Sequence, residues 1–450
     1  MFIEFMLKVF QENRGKDAII WNDRVYNYAW LLERIQYWQD VLKSNEVRPG
    51  TVAIIEADFS PNSVALFLTL IEHGCVLVPL TSSVEANKAK FIEIAQGEVQ
   101  FTIDEQDEVA ITKLQNRADH KFYQSLRELE HPGLVLFSSG STGESKAAVH
   151  DFMGLLEKFQ VPRHSKRMIT FLLYDHIGGV NTMLYALSNA GCVVTVQDRS
   201  PDGVLHAIET YQIQLLPTSP TFINLILLSE AHKRYDLSSL QTVTYGTEAM
   251  PESTLKRIHE VLPNVKLLQT YGLSEVGILR SKSKDSSSLW VKVGGEGFET
   301  KIVDEVLWIR AKSAMMGYLN APSPFDDEGW MNTQDMVEVD GDYIRILGRK
   351  TEIINVGGEK VYPAEVESVL MQIDNIKDAT VYGERNPIMG NIVAARVNLC
   401  EPEDITELKK RIRMFCKGKL AAYKIPVKVE VTGKDQFSAR YKKMRGAVPA

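Results

Sequence analysis

Short apolar runs of β character alternate with stretches of helical periodicity through most of this chain, and that alternation narrows its fold more than any other feature. The runs "VAIIE" (52 to 56), "CVLVPL" (75 to 80), "ITFLL" (169 to 173), "CVVTV" (192 to 196) and "QTVTY" (241 to 245) read as strands. Between them lie amphipathic segments such as "YAWLLERIQYWQDVLKS", where Leu31, Leu32, Ile35, Trp38, Val41 and Leu42 fall on one face of a helix. Such alternation packs as α/β layers with largely parallel sheets. After Arg349 the texture shortens to "DATVYG", "NIVAARVNL", a helix from Ile405 to about Leu420, and "VKVEV". With 450 residues the chain exceeds what one core usually serves. The expected fold class is α/β: a large multi-sheet α/β N-terminal domain over 1 to 348, then a small α+β C-terminal domain over 349 to 450, divided at "LGRKTE".

Composition excludes several classes. Hydrophobic residues make up 44% and charged residues 24%, a soluble globular balance. The apolar stretch "VALFLTLIEHGCVLVPL" is broken by Glu72 and His73, so no membrane span is expected. The opening "MFIEFMLKVF" carries Glu4 and no small-residue cleavage site, so no signal peptide is expected. Cys75, Cys192, Cys400 and Cys416 form no CxxC pair, which predicts neither disulfide nor zinc and a reducing, cytoplasmic setting. The net charge of −7 hides a basic end: from Asp404 to Arg445, thirteen Lys/Arg face four Asp/Glu, a balance of +9. That segment is either a solvated helix face or a surface for a polyanion such as a nucleotide, coenzyme A or an acidic carrier protein. Nucleic acid is not expected, because the remainder is acidic and no aromatics interleave the basic residues.

One loop carries chemistry. In "FSSGSTGESK", residues 137 to 146, the strand-like "GLVLF" empties into Gly, Ser and Thr and ends at Lys146. Gly140 and Gly143 let backbone N–H groups turn toward an anion, Ser138, Ser139, Ser141 and Thr142 offer hydroxyls, and Lys146 can lie along a polyphosphate. A solvated Ser-rich loop has the same composition. The pattern GxxxxGK[ST] is not met, since Glu144 and Ser145 separate Gly143 from Lys146, which argues against a P-loop kinase or GTPase.

Four further stretches follow: "YGTEAMPE" (245 to 252), "LLQTYGLSEVG" (267 to 277), "EGWMNTQDMVEVDGDYIRILGRKTEIINVGGEKVYPAEVE" (328 to 367) and "FSARYKKMR" (437 to 445). Together with the loop, in this order, they resemble the adenylate-forming superfamily of acyl-CoA synthetases, nonribosomal-peptide adenylation domains and luciferases, over nearly the whole chain. The resemblance implies ATP, Mg2+ and a thiol acceptor as reactants. The loop then matches "SGSTGxPK" and holds the β- and γ-phosphates. In "TYGLSE", Tyr271 stacks on adenine beside Gly272, Ser274 meets the α-phosphate, and Glu275 ligates Mg2+, a cation content with a lone carboxylate plus water and phosphate. Gly246, Thr247 and Glu248 lie along the adenine edge. Asp335 of "TQDM", where Gln334 replaces the family's glycine, accepts the ribose hydroxyls with Arg349 on the same sugar. Ser438, Lys442 and Arg445 match "TxxGKxxR", with Tyr441 in the glycine's place. Lys442 then bridges carboxylate and α-phosphate, and Lys443 is its neighbouring candidate.

The resemblance also frames substrate and acceptor. His176 in "LLYDHIGGV" matches "FHxxG", which implies a carboxylic acid without an amine; amino-acid-activating members place an aspartate there, and Asp175 stands one residue earlier. In the family the small domain is mobile about a hinge, here Lys350, and presents "INVGGEKV", whose Gly357 and Gly358 admit a pantetheine arm or simply make a tight hairpin turn. The acceptor implied is coenzyme A, or alternatively the phosphopantetheine of a carrier protein. An inactive binding homologue would lose the Mg2+ glutamate or the lysine, and both residues are present.

Overall fold

The computed structural model describes residues 1–139, 144–387, 389–438 and 440–445. Among these residues, a seven-stranded sheet runs Lys266–Gln269, Thr242–Tyr245, Leu215–Thr218, Arg167–Ile169, Cys192–Val194, Asp17–Trp21 and Arg24–Asn27; all pairings are parallel except the last. A second seven-stranded sheet is parallel through Gly133–Ser139, Val76–Leu80, Val52–Glu56 and Val99–Ile103, with antiparallel strands on both flanks. The helix Tyr28–Ser44 takes the range and face its periodicity predicts: Leu31, Ile35, Trp38 and Leu42 are buried, and its N-cap Asn27 accepts the N–H of Trp30. Helix Pro61–Glu72 is buried on nearly every side and opens with a capping box at Ser60.

A six-stranded antiparallel sheet spanning 280 to 349 departs from the expected parallel layering. Its strands are joined by tight hairpins such as Asp304–Glu305, both at positive φ, which leave no room for a crossover helix. The C-terminal part has its own core around Ile354, Val366, Val381, Val397, Leu408 and Ile412, beneath a five-stranded sheet.

Several expected elements are shorter than read, among them the strand in "CVVTV", which is Cys192–Val194. The strand in "ITFLL" stops at Ile169, because its neighbour ends at Val194 and the chain leaves the sheet to form the loop that reaches His176. The C-terminal helix is Ile405–Cys416: Lys417 turns extended and Gly418, at φ 84°, redirects the backbone before Leu420. All four cysteines are free thiols, and among the described residues no helix is long and apolar enough to cross a membrane.

Candidate active site

In parallel sheets, ligand sites form outside the carboxyl ends of the strands. Here those ends carry the motif residues. Arg167–Ile169 leads to His176, Leu215–Thr218 to Ser219 and Thr221, Thr242–Tyr245 to Gly246, Thr247 and Glu248, and Lys266–Gln269 to Tyr271 and Glu275. Gly246 sits so close to the next strand end that a Cβ there would lie 2.7 Å from the carbonyl oxygen of Thr270. Only glycine fits that approach.

The phosphate loop joins Gly133–Ser139 to Ser145–Asp151 as an antiparallel hairpin, with Ser138 opposite Lys146. Gly140, Ser141, Thr142 and Gly143 lie outside the described residues. Two contacts tie this hairpin to the "TYGLSE" segment. His150, fully buried on the second strand, bonds the Ser274 carbonyl through Nε2 at 2.6 Å, and burial pulls its pKa down to about 4. Tyr318, on a short strand beside the same hairpin, donates its hydroxyl to Glu275 Oε1 at 2.6 Å, while the Lys146 ammonium lies 5.3 Å from the Tyr318 ring centre. Burial and the Glu275 charge raise the Tyr318 pKa, so the phenol keeps its proton and stays a donor. Tyr318 uses one carboxylate oxygen of Glu275. A half-buried carboxylate with its second oxygen available fits a cation that completes its shell with phosphate and water. No group of three or more potential metal-binding side chains is found among the described residues.

Asp335 and Arg349 face each other across two antiparallel strands, with Arg349 Nε 2.9 Å from Asp335 Oδ1. The hydroxyl of Tyr271 donates to Asp335 Oδ2 at 2.5 Å. Burial raises the Asp335 pKa and the Arg349 guanidinium opposes that rise. Gln334 takes φ 62°, so the turn keeps the left-handed conformation that suits the glycine it replaces, steadied by its N–H on Asn332 Oδ1 at 2.9 Å. Glu248 is a structural anchor as well as a strand-end residue: its Oε1 takes the backbone N–H of Thr221 at 2.8 Å, and its Oε2 takes the N–H of Lys443 at 2.9 Å.

The C-terminal tail lies against this site. Residues 436 to 438 and 440 to 444 pair as a hairpin through the N–H of Met444 on Gln436 and of Ser438 on Lys442, with Tyr441 at φ 50°. The two adjacent lysines separate cleanly. Lys443 is buried, its ammonium 2.6 Å from Asp378 Oδ1 and 2.7 Å from the Ala379 carbonyl. Lys442 shows no ion pair among the described residues and lines a cavity with His176, Thr247 and Arg440. Burial, then the Arg440 guanidinium, push its ammonium below the usual lysine range. His176 caps helix Ile177–Ser188, its Nδ1 accepting the N–H of Gly178 at 3.0 Å, which places its own proton on Nε2. Burial, followed by the Lys442 and Arg440 cations, holds its pKa well down, so the imidazole is neutral.

Asp175 pairs with Arg440 of the same cavity lining. Its Oδ2 takes Arg440 Nη2 at 2.8 Å and the Thr81 hydroxyl at 3.0 Å. Arg445 binds Glu367 and Glu352 at 2.8 and 3.0 Å. Gly357 and Gly358, at φ 59° and 94°, make the turn between Ile354–Val356 and Glu359–Val361; it is a hairpin whose geometry itself demands glycine, and no described contact brings it to Lys442. Lys350 begins a short 3-10 turn directly after Arg349. Sequence reasoning missed Tyr318, Arg440 and Asp175 as partners of site residues. Each works through a partner remote in sequence, and no local pattern marks them.

The family described as AMP-binding enzyme matches residues 8–319, and the AMP-binding enzyme C-terminal domain matches residues 365–437. The chain therefore belongs to the AMP-binding enzymes of the adenylate-forming superfamily. It is 25% identical over 470 residues to the 3-[(3aS,4S,7aS)-7a-methyl-1,5-dioxo-octahydro-1H-inden-4-yl]propanoyl:CoA ligase of Rhodococcus jostii, covering 91% of this chain and 90% of that protein. It is equally 25% identical over 470 residues to the 2-succinylbenzoate–CoA ligase of Enterococcus faecalis, covering 94% and 93%. In fold it resembles the crystal structure of an anthranilate CoA ligase in complex with anthranoyl-AMP, with a TM-score of 0.81 at 19% identity, over 98% of this chain and 95% of that one.

Proposed function

We propose that this enzyme is an AMP-forming acid–thiol ligase that activates a carboxylic acid lacking an α-amine and passes the acyl group to coenzyme A. The observation that carries this reading is the half-buried Lys442, without an ion pair among the described residues, in a cavity shared with neutral His176 and Thr247. A cation so desolvated interacts strongly with an anion brought beside it. In the first step a carboxylate oxygen attacks the α-phosphorus of ATP, the P–O bond to pyrophosphate breaks, and acyl-AMP results. Lys442 stabilises the charge that gathers between carboxylate and phosphate, and needs no proton transfer to do so. Glu275 would hold Mg2+, which would neutralise phosphate charge when bound. Asp335 and Arg349 hold the ribose, and the hairpin from Ser138 to Lys146 holds the departing phosphates.

In the second step the thiol sulfur attacks the acyl carbon and AMP leaves. The C-terminal unit, which we take as 349 to 450, turns about Lys350 to exchange the Lys442 hairpin for the Gly357–Gly358 turn. Asp175 supports an acid without an amine, because its Oδ2 is paired with Arg440, a cation that also lines the cavity and would repel an ammonium there. Coenzyme A is favoured over a carrier protein because much of the basic end is neutralised within the chain: Arg411, Lys424, Lys428, Lys443 and Arg445 all have carboxylate partners. The relatives named as CoA ligases point the same way.

The test is acid-dependent ATP/pyrophosphate exchange over a panel of aliphatic, aryl and amino acids, followed by thioester formation on coenzyme A. We expect exchange with an acid that carries no amine, and AMP as the nucleotide product. ADP as product, or exchange confined to amino acids, overturns the reading.

A further inference from the structure

Tyr441 is a residue whose backbone suits glycine and whose side chain has been put to use. At φ 50° it sits in the left-handed region, which costs a non-glycine residue about 1 kcal/mol or more. The side chain stacks on Phe437 of its own hairpin, ring centres 5.5 Å apart, and makes further contacts outside it. Its ring lies 5.3 Å from Phe171 and 5.1 Å from Phe222, both buried beneath the strand ends of the large domain. Its hydroxyl donates to the Arg199 carbonyl at 2.7 Å, and its own carbonyl accepts the Ser219 hydroxyl at 2.8 Å. The same ring walls the cavity that holds His176 and Lys442.

We propose that Tyr441 is a specificity-determining residue that closes the acyl end of the acid pocket, so that the pocket is complete only while the tail hairpin is docked. This deepens the proposed function and rests on it. Lys442 and Tyr441 are adjacent on one hairpin, so the residue that stabilises the reacting charge and the residue that limits the size of the acid arrive and leave together. An acid too large for the space beside Phe171 and Tyr441 keeps the hairpin from seating and therefore keeps Lys442 from the α-phosphate. Size selection is thus exerted at adenylation and is absent from thioester formation, when the hairpin has withdrawn.

The experiment is a graded series, Tyr441→Phe, Tyr441→Leu, Tyr441→Ala and Tyr441→Gly, assayed for exchange over acids of increasing bulk and, separately, for thioester formation from preformed acyl-AMP. Tyr441→Phe keeps the aromatic wall, and its rank order of acids should match the parent. As the side chain shrinks, kcat/KM for the parent's best acid should fall at least tenfold, mainly through KM, while the value relative to it for bulkier acids rises at least tenfold. Thioester formation from preformed acyl-AMP should change less than threefold. A uniform loss across all acids with unchanged rank order means that Tyr441 only anchors the tail, and overturns the proposal. The glycine variant relieves the backbone strain and guards against misfolding as the cause of any loss. Absence of acid-dependent exchange in the parent enzyme would instead refute the ligase reading, so the two failures are distinct.

Discussion

Adjacent lysines with opposite surroundings give the sharpest check on the site, because removing each one should be felt in a different measurement. Lys442→Ala deletes a half-buried cation that has no ion pair among the described residues, so the folded state loses a partly desolvated charge and little else. Stability should be unchanged or slightly higher. Adenylation should slow by about 100- to 1000-fold, equivalent to roughly 2.7–4 kcal/mol of transition-state stabilisation, the usual consequence of losing one preorganised donor at a developing charge. Lys443→Ala reverses the pattern. The Lys443 and Asp378 side chains are 8% and 13% exposed and 2.6 Å apart, so the alanine leaves a buried carboxylate without its counter-charge. That should cost about 3–5 kcal/mol of folding stability. Any loss of exchange should follow from the tail detaching, and should be rescued in part by Asp378→Asn. The assays are pyrophosphate exchange for the first step, thioester formation from preformed acyl-AMP for the second, and urea unfolding for stability. An exchange-dead Lys443→Ala of full stability beside a normal Lys442→Ala would refute the reasoning.

Arg440→Ala strands the nearly buried Asp175 with only hydroxyl partners, and should lower stability by about 3 kcal/mol; the double variant with Asp175→Asn should recover most of that in urea melts, and no recovery would mean the pair is not coupled. His150, with a pKa of about 4 when folded against an ordinary 6.5, refuses a proton that the unfolded chain accepts, so stability falls as pH drops through 6.5 and the loss is complete near 4. At pH 5 the expected loss is about 2 kcal/mol relative to pH 8, and His150→Gln should flatten the pH dependence of the urea midpoint. Glu275→Gln keeps an oxygen for the Tyr318 hydroxyl but weakens the metal site, so half-maximal exchange should need at least tenfold more Mg2+; an unaltered Mg2+ titration would count against Glu275 as the ligand.

What the sequence made legible is what is local in it. Helix Tyr28–Ser44 could be read because its buried face repeats every turn, and the strand end that carries Gly246 could be placed because its motif is contiguous with "QTVTY"; the strand Lys266–Gln269 before Tyr271 and Glu275 was not read. The resemblance picked Lys442 over Lys443 by register alone, while their surroundings were illegible, since neighbouring side chains on a hairpin point to opposite sides and only the packed tail decides which side meets His176. The antiparallel sheet was hidden for a similar reason: its hairpins are short and its exposed faces polar, so its strands lack the apolar runs that marked the parallel ones.

The departures from the family pattern prove more informative than the matches. Gln334 and Tyr441 both stand where glycine is the pattern, and both keep positive φ, at 62° and 50°. The backbone requirement therefore outlived the residue that met it most cheaply. At Gln334 the turn is held by a local bond to Asn332, and its neighbour Asp335 still faces Arg349. At Tyr441 the compensation is partly local, a stack on Phe437, and partly remote, an aromatic ring seated among Phe171 and Phe222 of the other domain. A strained residue held by its own turn needs only a stable turn. A strained residue held in part by a second domain is most stable while the two are docked, and in the proposed reading that dependence ties the width of the acid pocket to the position of the Lys442 hairpin.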